Sequence, residues 1–155
     1  MTNTSPRNQN PDDLLRLDRQ VCFPLYAATN MLQRLYRPLL TPLGLTYSQY
    51  LVMLILWERE SASVSDLCGC LHLDVGTLSP LLKRMEQAGL ITRSRDPSDE
   101  RRVLIGLTPH GRSLEKRARR VPEALAEQTG MAVRDVEDLR DRAQALVAQL
   151  TLAVA

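Results

Sequence analysis

Apolar residues recur at helical spacing through most of the chain. Leu25, Ala28, Leu32, Leu35 and Leu39 form one stripe that begins just after Pro24, a residue suited to a first helical turn because the N–H it lacks would be unpaired there. The pattern predicts a long helix over about 24–37, preceded by a separate turn over about 11–19. "TPLGL" breaks the pattern, and Thr46 then stands as cap for a second helix carrying Leu51, Leu54 and Ile55 to about Arg59. A short helix follows over 63–71, with Ser63 at its head. In "HLDVGTLSPLLKRMEQAGL", Asp74 is the candidate cap, Leu78, Leu81, Leu82, Met85 and Leu90 make the apolar stripe, and Ala88-Gly89 is the stop. Pro80 strains that helix, because past the first turn it removes a backbone hydrogen bond.

Periodicity shifts at "LITRSRDPSDERRVLIGLT". Two short strands, about 90–94 and 102–107, are predicted around a turn rich in Asp, Pro and Ser, making a charged β-hairpin. Beyond Thr108 the chain is helical again, with Pro109 at a first-turn position, and a last helix is expected over 133 to about 152. Two short helices, a hairpin and long helices at both ends give a mainly α fold with a small β wing. That order is a winged helix-turn-helix over about 46–108, flanked by dimerisation helices over about 12–40 and 109–155 in one domain.

Charge sharpens this picture. The net charge is only +2, yet residues 81–120 hold eleven Lys or Arg against five Asp or Glu, so positive charge is concentrated in that stretch. A phosphate-facing surface has that distribution. The candidate DNA contacts on the helix are Asp74, Thr77 and Ser79 at its N-terminal end, with Lys83 and Arg84 a turn further on. Any exposed helix face carries polar residues, so the helix alone decides nothing. The hairpin adds Arg93, Arg95, Arg101 and Arg102, and arginines on a thin projection can enter a narrow minor groove. Asp99, two residues before Arg101, is placed to hold that guanidinium in a bidentate pair.

Other chemistry finds little support. No Gly-rich phosphate loop appears, and His72 and His110 stand beside no nucleophile pair, so an enzyme is not expected. "CGCLH" sets Cys68 and His72 at helical spacing, but Cys70 points elsewhere and a fourth ligand is lacking. No metal or other cofactor is expected, and Cys68 and Cys70 read as core residues. The longest apolar run is too short to cross a bilayer and the polar N-terminus lacks a secretory core, which suggests a cytoplasmic protein with a loose N-terminal tail and no membrane partner. Three cysteines make no paired framework.

The remaining oddity is "QVCFPLYAATNMLQRLYRPLLTPLGLTYSQY", which holds all four of the chain's tyrosines and, at Cys22, a lone cysteine. A free cysteine is most often a small buried hydrophobe. On one straight helix, Cys22 and Tyr36 would stand roughly 21 Å apart at about 1.5 Å per residue, so a contact between them would be made across a dimer interface. Tyrosine hydroxyls can donate to a thiolate and stabilise its charged, reactive form.

"DPSDERRVLIGLT", preceded by "LLKRMEQAGLI", resembles the wing and recognition helix of the MarR family of bacterial regulators. Within it, "CFPLYAATNMLQRLYRPLLTPLGLTYSQYLVMLILWE" is similar to the OhrR-type repressors. The resemblance implies a homodimer on an inverted-repeat operator, with Cys22 sensing organic hydroperoxides, Tyr26, Tyr36 and Tyr47 bonding its sulfur, and Asp99 and Arg101 matching the wing-tip pair. Members with two sensing cysteines carry the second after the wing. This chain has none beyond Cys70, so it looks like the one-cysteine class, in which a low-molecular-weight thiol caps the oxidised sulfur or oxidation continues. Two alternatives are a MarR-type regulator governed by a small aromatic ligand, with Cys22 a bystander, and a thiol peroxidase.

Overall fold

The computed structural model describes residues 14–154. The expected N-terminal tail, and residues 11–13 of the turn expected over 11–19, lie outside the described residues. Two compact units divide between Leu35 and Tyr36.

The first unit holds a 3-10 turn, Leu17–Arg19, and most of helix α1, Cys22–Leu40. α1 starts two residues before the expected point, so Pro24 still falls in the first turn. Its apolar residues Phe23, Leu25, Met31 and Leu32 are all exposed.

In the second unit a 3-10 turn, Thr41–Leu43, ends at Gly44 in a left-handed conformation. Helix α2, Tyr47–Arg59, opens with a capping box in which the Thr46 hydroxyl accepts from the Gln49 N–H and the Gln49 side chain accepts from the Thr46 N–H. Helix α3, Val64–Leu71, repeats the device with Ser63 and Asp66. Helix α4, Val75–Gln87, is capped by Asp74, whose carboxylate accepts from the Thr77 N–H at 2.7 Å. Each cap satisfies an N–H that the helix itself leaves without a partner.

α4 continues through Pro80. Pro80 and Gly76, whose carbonyl loses its helical partner, are both exposed, so the missing bond falls where water can replace it, and the ladder facing the core stays whole. That core gathers Leu40, Met53, Leu56, Leu67, Leu78, Leu82, Met85, Ile91 and Ile105.

The expected two-stranded hairpin is a three-stranded antiparallel sheet in the order β1-β3-β2, with β1 at Ser61–Ser63, β2 at Ile91–Asp96 and β3 at Asp99–Leu107. β1 carries no apolar alternation in "SAS" and owes its form to pairing with β3, Ser61 facing Gly106 and Ser63 facing Leu104. β2 and β3 extend beyond the expected spans, up to a pairing of Asp96 with Asp99 and an irregularity between Arg95 and Asp96.

The helical stretch after Thr108 is broken into α5 (Pro109–Ser113), α6 (Glu115–Ala118) and α7 (Val121–Thr129). Pro122 has no N–H to return to the Ala118 carbonyl, which accounts for the break before α7. α8, Val133–Val154, buries no residue. Among the described residues no single helix is long and apolar enough to cross a membrane.

α4, β2, β3 and α5 are joined at one knot. The Thr108 hydroxyl reaches the Gly89 carbonyl at 2.6 Å and the Leu90 carbonyl at 3.1 Å, and accepts from the Gly111 N–H at 2.9 Å. A Cβ on Gly111 would collide with the Leu90 carbonyl. Backbone cannot yield as a flexible side chain would. Gly111→Ala is therefore expected to cost about 3 kcal/mol, the upper part of the range for overpacking, measured by denaturant unfolding; a cost below about 0.5 kcal/mol, the scale of an ordinary surface substitution, would contradict the close approach.

Candidate functional site

α4 presents one face to the core and the other to solvent. With Leu78, Leu81, Leu82 and Met85 buried, helical periodicity turns Gly76, Pro80, Lys83 and Gln87 outward, with Thr77 and Arg84 beside them. Of the sequence-predicted residues on this helix, Thr77, Lys83 and Arg84 are exposed and Ser79 is half-buried. Asp74 is exposed as well, but its two carboxylate oxygens accept from the Thr77 N–H and, at 3.0 Å, from the Thr77 hydroxyl. Those bonds hold its carboxyl below the usual range, the backbone N–H contributing most. Asp74 thus orders the first turn of the helix and leaves the Thr77 oxygen free to accept.

The wing is built by its own acids. Asp96 accepts from the Ser98 hydroxyl at 2.6 Å and the Ser98 N–H at 2.9 Å, which closes the tip. Arg95 donates to the Glu100 carbonyl at 2.8 Å across it. The expected bidentate pair between Asp99 and Arg101 is not formed. Asp99 accepts instead from the Arg101 backbone N–H at 3.0 Å, the short-range bond that an Asp side chain in a turn makes to the backbone two residues on. Arg93 and Arg101 are exposed and enter no ion pair among the described residues.

Sequence reasoning missed Asp66 and Arg102 as a link. Asp66 caps α3 and lies 3.5 Å from the Arg102 guanidinium, which is also 4.0 Å from Asp96. Both side chains are about half exposed, so this pair orients the wing more than it stabilises the fold. No signal in the sequence couples positions 36 apart.

Cys22 and Tyr26 lie in the first unit, Tyr36 and Tyr47 in the second. Cys22 is free, exposed and the first residue of α1, and Tyr26, one turn on, is exposed too. Cys68 is half-buried against the core, whereas Cys70, expected in the core, is exposed. His72 is not on the helix face expected for a pair with Cys68, since it forms the left-handed C-terminal cap of α3.

Tyr36 and Tyr47 come together, their ring centroids 4.9 Å apart. Tyr50, absent from the sequence-level site, completes the cluster at 5.8 Å from Tyr36 and packs 6.3 Å from Trp57. Its helical spacing from Tyr47, i to i+3, was the available signal. Burial, reinforced by the neighbouring phenols Tyr47 and Tyr50, pushes the Tyr36 phenol up to about 12. Burial also raises Tyr47 and Tyr50. All three remain neutral donors at physiological pH, the form in which a phenol can bond an anion.

A raised phenol means that folding favours the neutral form, so its contribution is whole below the ordinary value of 10.0 and disappears as pH rises toward about 12. Stability should fall through that window, and Tyr36→Phe, which cannot ionise, should fall less steeply. Identical slopes in chemical denaturation across the window would contradict the assignment.

Residues 45–103, which run from α2 through α3, α4 and β2 into β3, match the model of the MarR family. The chain is 45% identical over 138 residues to the organic hydroperoxide resistance transcriptional regulator of Bacillus subtilis (strain 168), covering 89% of this chain and 92% of that protein. Among solved structures it is similar to AbfR of Staphylococcus epidermidis in two DNA-bound forms. The reduced form gives a TM-score of 0.71 at 31% identity, over 90% of this chain and 98% of that one. The overoxidised form gives 0.70 at 33% identity, over 89% and 98%. With a MarR match over α2 to the hairpin and 45% identity across nearly the full length of a named regulator, this chain belongs to the MarR family of transcriptional regulators.

Proposed function

We propose that the chain is a homodimeric cytoplasmic repressor, functioning as one domain, that holds an inverted-repeat operator while Cys22 is reduced and releases it when organic hydroperoxide oxidises Cys22. The observation that carries this reading is an exposed free thiol at the head of α1 in a chain 45% identical to an organic hydroperoxide resistance regulator.

On this reading α4 lies in the major groove, with Thr77, Ser79, Lys83 and Arg84 at base edges and phosphates and Asp74 ordering the turn from which they project. Arg93 and Arg101 reach the minor groove, Arg101 from a turn braced by Asp99. Apolar residues left open on α1 and α8 are covered by a second copy, which sets two recognition helices at half-sites about 34 Å apart. Across that interface, Cys22 and Tyr26 of one protomer meet the tyrosine cluster of the other, whose neutral hydroxyls donate to the thiolate.

The thiolate attacks the outer peroxide oxygen, breaking the O–O bond. Sulfur gains that oxygen as a sulfenic acid, and the alkoxide leaves as an alcohol after taking a proton. A low-molecular-weight thiol then condenses with the sulfenic acid, forming a mixed disulfide and releasing water. AbfR occupies DNA in its overoxidised form as well as its reduced form, so in that protein oxidation does not by itself preclude DNA binding. A bulky adduct in a packed interface is the stronger cause of release here, and a thousandfold loss requires about 4 kcal/mol.

One observation favours a second reading. A cavity of about 340 Å³ has an apolar floor of Leu39, Leu43 and Val121, with Arg117 and Arg120 on its wall. A small aromatic acid would suit that lining. The two readings separate in a titration of the DNA upstream of the protein's own gene, using wild type and Cys22→Ser before and after stoichiometric organic hydroperoxide with a small thiol. Release by wild type alone, reversed by dithiothreitol, is expected. Release by both proteins, or by neither, would overturn the redox reading. Consumption of one peroxide per Cys22, without repeated turnover, separates the sensor from a thiol peroxidase.

A further inference from the structure

The chain's single tryptophan lies between the tyrosine cluster and the root of the wing. Its ring is packed edge-on against Tyr50 at 6.3 Å, and Tyr50 packs against Tyr36 at 5.8 Å. Both separations fall within the range of attractive aromatic pairs. On the other side, the Trp57 indole N–H donates to the Gly111 carbonyl at 3.0 Å. Gly111 packs so close to the end of α4 that a Cβ added to it would collide with the Leu90 carbonyl. Thr108, the last residue before α5, ties the same point to Gly89 and Leu90.

Tyr50 is 3% exposed. A side chain so enclosed cannot absorb a neighbour's displacement by swinging into solvent, and close-packed interiors pass such displacements on. The Trp57 bond ends where α4 stops, β2 starts and β3 hands over to α5, so a displacement delivered there acts on the recognition helix and the wing together.

We propose that Tyr50 and Trp57 are positioning residues that join the tyrosine cluster to the root of the wing, so that operator affinity depends on how Tyr36 is packed. This rests on the reading of Tyr36 as part of the sensor of an operator-binding regulator. It adds the intramolecular connection which that reading lacks. Tyr50 transmits through its ring and Trp57 through its indole N–H.

The test is a double-mutant cycle on the reduced, full-length protein with the DNA upstream of its own gene and no peroxide. Tyr36→Ala is expected to weaken operator binding about tenfold, within the usual span of couplings between sites. Trp57→Phe keeps an aromatic ring but loses the bond to Gly111. In that background the added Tyr36→Ala change is expected to cost less than about twofold, the two residues acting as one path. Multiplicative effects, or no effect of Tyr36→Ala, would overturn the proposal. Should Tyr36→Ala not fold, Tyr36→Leu replaces it in the same cycle.

Trp57 fluorescence supplies a signature that simple loss of stability would not produce. Tyr36→Ala should shift the emission in the folded protein when residue 50 is Tyr or Phe, and should not when it is Leu. A shift that survives Tyr50→Leu would also overturn the proposal. Because peroxide is absent throughout, an intact cycle beside a failed peroxide response would refute only the redox reading, and a failed cycle beside an intact response only this connection.

Discussion

Leu78, Leu82 and Met85 expose no surface, and their burial governs what the rest of α4 can do. Rotation of the helix by one residue would carry these side chains into water, each at a cost of about 1.5–3 kcal/mol. The outward row of Gly76, Pro80 and Lys83 is therefore fixed in direction by the core behind it. The Asp74 cap sets where the helix begins, and the knot of Thr108, Leu90 and Gly111 sets where the wing departs from it. A reading surface made this way moves as a body or hardly at all. On the proposed reading, control of DNA binding is a matter of where two such bodies stand in a dimer, with the sensor at the interface rather than beside the groove-reading residues.

Much of this was legible in the sequence where the determinants are local. Thr46, Ser63 and Asp74 announce helix starts because each must supply an oxygen to an N–H two or three residues on, a requirement that acts within one turn. The charged hairpin and the apolar stripe of α4 were legible for the same reason. Strand β1 was not, because "SAS" becomes a strand only by pairing with residues more than forty positions later. Nor was the break between α6 and α7, where Pro122 prevails over a continuous helical pattern.

The candidate site divides along the same line. Thr77, Lys83, Arg84 and Arg101 were readable as exposed polar groups on predictable elements. Asp99 was misassigned in its partner: the sequence indicates that an Asp and an Arg are close, but turn geometry decides between backbone and guanidinium. Tyr50 escaped notice because its i to i+3 spacing from Tyr47 says only that the two share a helix face, and its place beside Tyr36 in the core comes from packing.

The acid–base character of the cluster fits the proposed chemistry. Burial keeps Tyr36, Tyr47 and Tyr50 protonated, so they offer donors without competing for charge with a thiolate, and oxidation to a capped sulfur removes the acceptor and introduces bulk together. The most direct measurement follows operator occupancy and the fraction of Cys22 modified, by mass spectrometry, in the same samples as hydroperoxide is added with a small thiol. Occupancy should fall in proportion to modification of Cys22, whatever the state of Cys68 and Cys70. Loss of the operator while Cys22 is still reduced, or full occupancy once Cys22 carries the thiol adduct, would contradict the account.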